Sequence, residues 1–133
     1  MKNNRGQSLI EIIFSMGIVI LVLVGVVMLM VVTAKAKRIA LERQKAIELS
    51  QLLIEEKVNY FKDENNMLSF WNAPSHDPVT NQPYTGFNGY SYNITYPIDS
   101  CPGSGSSCKI VFTITWGDDQ SLSVERVFSR KGL

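Results

Sequence analysis

GQSLIEIIFSMGIVILVLVGVVMLMVVTA, from Gly6 to Ala34, is the stretch that decides how this chain folds. Between Ile12 and Ala34 only Ser15, Gly17, Gly25 and Thr33 soften the apolar run, and no charge follows Glu11 until Lys35. A helix of about 20 apolar residues crosses the hydrocarbon core of a bilayer, so the length suits a membrane-spanning helix. A secretory signal peptide has an apolar core of only about 7–15 residues that ends at a small-residue cleavage site. This run is longer and passes through Thr33-Ala34-Lys35-Ala36 into more helix-forming sequence, which favours a retained anchor. Glu11 is a lone carboxylate at its mouth. An ionisable group on such a segment costs roughly 2.5–3.5 kcal/mol at the bilayer centre and less near the edge, so a chain that keeps it has a use for it. Ahead of it sits a short basic, polar leader, Lys2-Asn3-Asn4-Arg5-Gly6.

The rest of the 133 residues are ordinary in composition. Because the apolar residues concentrate in the run, what remains suffices for one small domain. A net charge of +1 argues against gripping nucleic acid along its backbone. Charge leaves the orientation open. Lys35, Lys37, Arg38, Arg43 and Lys45 follow the run and outnumber Lys2 and Arg5, which by the positive-inside count puts the distal side in the cytoplasm. The cysteine pair and the polar, aromatic-rich distal half point the other way.

Helix continues past the span. From Lys35 to about Glu64 there is neither proline nor glycine, and good helix formers dominate. Ile39, Ala46, Ile47, Ser50, Leu53, Ile54, Val58 and Phe61 fall on one broad stripe, expected to pack on a core. Leu41, Leu49 and Leu52 fall largely on the other side, either as scattered surface leucines or as a subunit contact. Asn65-Asn66 is expected to end the helix, and a loop to run to about Asn88-Gly89. Three alternating strands follow: Tyr90, Tyr92, Ile94 and Tyr96 share a face of the first, and Ile110, Phe112, Ile114 and Trp116 one of the second. Leu122, Val124 and Phe128 mark the third, with Arg126 interrupting. Gly117-Asp118-Asp119-Gln120 is short enough to join the last two as a hairpin. One apolar sheet face and one apolar helix stripe predict an α+β fold, a long N-terminal helix packed on a small three- to four-stranded antiparallel sheet.

The joint Gly6-Gln7-Ser8-Leu9-Ile10-Glu11, the uninterrupted span, the amphipathic continuation and the small sheet together resemble a type IV pilin-like protein. The resemblance covers the whole layout, and its specific part runs from Arg5 to about Val32. It implies a leader at 1–6, a transmembrane or filament-core helix half at 7–34, and an amphipathic helix half with a small extracytoplasmic domain at 35–133. A prepilin peptidase would cut between Gly6 and Gln7 on the cytoplasmic side and methylate the new amine of Gln7. The leader then stays inside and the domain faces outward, first from the inner membrane and then on a pilus or pseudopilus at the cell surface. Implied partners are other pilin or pseudopilin subunits through the N-terminal helix, the peptidase, and membrane lipid. In a filament, Glu11 of one subunit would lie near the amine of Gln7 on the next. Opposite charges about 4 Å apart attract by roughly 4 kcal/mol at an effective dielectric near 20, against about 1 in water. Gln7 replaces the phenylalanine usual in major pilins, Ser8 the common threonine, and the span lacks their helix-breaking proline, Met28 standing where it is looked for. These departures fit a minor pilin or pseudopilin better than a principal subunit. A type II secretion or competence pseudopilin is the alternative, and a single-pass anchored binding module that never assembles is the alternative of another class.

Other candidate sites are sparse. Cys101 and Cys108 bracket a Gly/Ser-rich loop between the first two strands, and a structural disulfide there adds roughly 2–2.5 kcal/mol. Free thiols and a metal pair are the alternatives, though two cysteines alone make a poor zinc site. Asp118-Asp119 is a calcium candidate that a turn explains with fewer assumptions. His76, the only histidine, is expected to be an exposed loop residue beside Asp77. Arg126, Arg130 and Lys131 offer little to DNA. No Ser-centred elbow, phosphate-cradling glycine loop or His/Glu metal motif occurs, so neither an enzymatic activity nor a cofactor is expected.

Overall fold

The computed structural model describes residues 5–73, 75–97 and 107–129. Its first element, α1, is a single helix from Arg5 to Lys62. By contact density the chain divides into two compact units, Met1–Leu41 and Glu42–Leu133. Within the first, every side chain from residue 9 to residue 41 is exposed.

The second unit is α+β. α1 ends at Lys62, ahead of the Asn65-Asn66 expected to end it, and a second helix, α2 (Glu64–Asn72), follows where a loop was expected. Asp63 is extended (φ −79°, ψ 119°), and its carboxylate accepts from the backbone N–H of Asn65 at 2.9 Å and of Asn66. A carboxylate that satisfies the orphan donors of a new helix is an N-cap, so the Asp-Glu-Asn-Asn run restarts a helix instead of ending one. α2 stops at Ala73, extended as a residue before proline must be.

Four strands form one antiparallel sheet in the order β1-β2-β3-β4: Val79–Pro83, Tyr90–Thr95, Ser107–Trp116 and Gln120–Ser129. β1 lies inside the expected loop. Its sequence, Val-Thr-Asn-Gln-Pro, has no apolar alternation, its register with β2 shifts between Val79 and Gln82, and Asn81 is left-handed at φ 48°. The Asn81 backbone N–H donates to the Asn93 side-chain oxygen. The later strands follow the sequence reading. β3 buries Cys108, Ile110, Phe112, Ile114 and Trp116 on one face and pairs with β4 in unbroken register from Trp116↔Gln120 to Ser107↔Ser129. Gly117 at φ 61° opens the tight connection between them, a conformation that costs glycine little.

The core joins that sheet face to Ala46, Leu49, Leu53 and Phe61 of α1, Trp71 of α2, Ile94 and Phe128. The buried helix stripe is rotated from the one expected. Leu49 is completely buried, whereas Ile47 and Ile39 are exposed. Residues 46, 49, 50 and 53 follow the i, i+3, i+4, i+7 rhythm of a single face, and Ile47 lies to its side. Ser50 belongs to this face and loses nothing by burial, because its hydroxyl donates to the Ile47 carbonyl at 2.7 Å. Leu41 and Leu52 remain exposed. The hydroxyl of Tyr90 donates to the Glu42 carbonyl at 3.1 Å, tying β2 to the helix.

Candidate functional site

The segment that carries the proposed chemistry is the N-terminal part of α1. Among the described residues this is one helix long and apolar enough to cross a membrane. No side chain from Leu9 to Val32 is buried, and Phe14, Leu21 and Leu29 are each about 70% exposed. A soluble helix with that surface would aggregate; lipid or other apolar helices would cover it. The two hydroxyls in the run are satisfied by its own backbone. Ser15 donates to the Ile12 carbonyl at 2.9 Å and Thr33 to the Leu29 carbonyl at 2.7 Å. Groups that cannot find water in hydrocarbon are thereby met internally. At Gly17 the missing side chain leaves a shallow notch edged by Ile13, Phe14, Ile18 and Leu21, and nothing lies within 4 Å of the place a Cβ would occupy.

Glu11 is exposed on this helix and is the only charged residue between Leu9 and Ala34. No ion pair to it occurs among the described residues. Gly6 and Gln7 belong to the first turns of α1, with Gln7 four positions, about one helical turn, before Glu11.

The remaining candidates lie in the second unit. Cys108 is completely buried at the start of β3 and is disulfide-bonded; Cys101 lies outside the described residues, as do Arg130 and Lys131. Asp118 and Asp119 form the exposed β3–β4 turn, and among the described residues no three His, Cys, Asp or Glu side chains gather as metal ligands would. His76 lies in the loop between α2 and β1, as expected, but is half-buried rather than exposed. Its ring stacks on Phe70 at 3.9 Å and 11° and leans on Tyr96 at 5.1 Å. Burial, and secondarily the Lys57 ammonium, hold the imidazole below its ordinary value. Burial also raises the Tyr96 phenol, with Tyr60 adding to the effect. Sequence reasoning missed this aromatic group because it depends on α2. Met67, Phe70 and Trp71 at i, i+3 and i+4 were the signal that could have found it.

Comparison with protein-family models, with characterised proteins and with solved structures finds no match to this chain.

Proposed function

We propose that this chain is a structural subunit of a type IV pilus or related filament, a minor pilin held in the membrane before assembly. The observation that carries the reading is the order of parts along the sequence and its long helix. A basic leader ends at Gly6, the carboxylate of Glu11 follows five positions later, and a fully exposed apolar surface continues to Val32. The helix then runs on into a small antiparallel α+β unit. A prepilin peptidase cuts between Gly6 and Gln7 and methylates Gln7, the N-terminus stays inside, and the α+β unit faces outward. Before assembly lipid covers the apolar helix; afterwards the same surface packs on neighbouring subunits. Glu11 then pairs with the amine of Gln7 on the next subunit. A misregistered neighbour would leave the carboxylate buried and unpaired, which is heavily penalised, so the pair selects one register. Gln7 and the proline-free span favour a minor over a principal subunit.

N-terminal sequencing of the mature chain from cells that contain the peptidase tests the reading. A methylated residue at Gln7 is expected, and an intact start at Met1 would overturn it. Glu11→Ala should leave membrane insertion unchanged and abolish incorporation into filaments, and normal incorporation would remove the role given to Glu11.

A further inference from the structure

The two edges of the sheet are finished differently. β1 has five residues, a shifted register, a left-handed Asn81 and, at its end, Pro83, which has no N–H to offer. Short length, irregularity and proline all blunt an edge against further pairing. β4 has ten residues in unbroken register with β3, and among the described residues no strand lies on its other side. Alternate residues of such a strand turn N–H and C=O away from the existing partner. Beside β4 runs a groove of about 490 Å³, lined by Gln51, Ile54, Glu55, Val58 and Lys62 of α1 and by Arg126. Ile54 and Val58 are only half-covered and sit at the rim of the core. Arg126 occupies a core-facing register position, opposite the completely buried Ile110, yet remains exposed, and none of the ion pairs among the described residues involves it.

We propose that the free edge of β4 docks an extended segment of another protein, which adds as a fifth strand and presents a carboxylate to Arg126. Main-chain bonds hold such a strand but do not choose it; side chains facing the groove do. Those over Ile54 and Val58 must be apolar to complete the core. The one beside Arg126 meets a guanidinium that the added strand takes out of water. Glu55 is the one carboxylate in the groove against the two cations Arg126 and Lys62, so an apolar residue there leaves positive charge in excess, a lysine adds to it, and an aspartate or glutamate balances it with charge-assisted hydrogen bonds. The excess positive charge beside Arg126 therefore favours an acidic strand over an apolar or a basic one. A second copy of β4 laid antiparallel fails the requirement, because its core-facing positions carry Gln120, Leu122, Val124, Arg126 and Phe128 and no carboxylate. The site lies entirely within the second unit and does not depend on the filament reading.

The test uses the full chain in detergent micelles and two fluorescent peptides of β4's ten-residue length. Both alternate Val and Thr, one with a central Glu and the other with Lys in its place. Fluorescence anisotropy should show saturable binding of the Glu peptide and binding of the Lys peptide at least about tenfold weaker. Arg126→Glu, an exposed substitution whose folding is checked by near-ultraviolet circular dichroism, should invert the preference. Amide exchange should slow along β4, and not along β1, when the Glu peptide binds. Equal affinity for the two peptides, no binding of either, or protection of β1 would overturn the proposal.

Discussion

Glu11 stands alone on an apolar surface, so the strength of the argument there comes from what surrounds it. Among the described residues no ion pair reaches it, and its exposed apolar neighbours Ile10, Ile12 and Ile13 offer it no partner. Leu49 teaches the opposite lesson, because the environment that decides its role is already inside the second unit. It is completely buried, while Leu52, three positions on, is 36% exposed. Leu49→Ala should therefore cost about 2–5 kcal/mol of unfolding free energy, and Leu52→Ala well under half of that. Urea unfolding in micelles measures both, because the two tryptophans of the chain, Trp71 and Trp116, are buried in the same core and report its loss. His76 is a third case. Its folded-state pKa lies below the ordinary histidine value of about 6.5. Protonation thus favours the unfolded chain. The neutral ring's contribution is fully present above that ordinary value and is lost as pH falls toward the folded value. The groups facing the ring are Phe70, Tyr96 and the Lys57 ammonium. Relative to His76→Gln, the native chain should lose stability between pH 7.5 and 5.5, and parallel denaturation midpoints for the two would refute the assignment.

Among the elements, α2 depends most on a single residue. Asp63 both ends α1 and caps α2, accepting from Asn65 and Asn66. Removing an N-cap carboxylate costs about 1 kcal/mol. α2 contributes Trp71 to the core and Phe70 to the histidine stack, so the loss should reach beyond the helix itself. Asp63→Ala is expected to lower the unfolding free energy from urea titration by that amount and to weaken the near-ultraviolet signal of Trp71, while Asp63→Asn retains most of both. β3 is the element whose pattern was plainest. Five alternate side chains from Cys108 to Trp116 are buried, as period-two reading requires of the central strand in a sheet covered on one face. The other face is mostly polar, with Val111 and Val127 among its side chains, and there Ser91 and Thr115 share a hydrogen bond of 2.7 Å, and Thr113 and Ser123 one of 3.1 Å.

For the whole molecule, the two units should respond to denaturant by different physics. The second unit is held by one apolar core and should unfold cooperatively. The first is a helix whose backbone groups have no alternative partner in hydrocarbon. Urea added to the chain in micelles should abolish the near-ultraviolet signal of the tryptophans while leaving substantial far-ultraviolet helix, and loss of both signals in one transition would contradict that division.

What the sequence by itself determined is whatever a local pattern can specify. An apolar run with no charge from Ile12 to Ala34 admits one structure in lipid, a helix. The alternation in β3 and the Gly117 turn each need only their neighbours. Tertiary structure decided the rest. β1 is a strand because β2 offers it partners, although Val-Thr-Asn-Gln-Pro has little strand character of its own. Leu49 rather than Ile47 entered the core because a few tens of degrees of helix rotation, set by how the sheet meets it, outweigh composition along the stripe. The histidine stack and the open edge beside Arg126 arise from residues far apart in sequence, 70 with 76 and 96, and 54 and 58 with 126, which only the packed unit brings together.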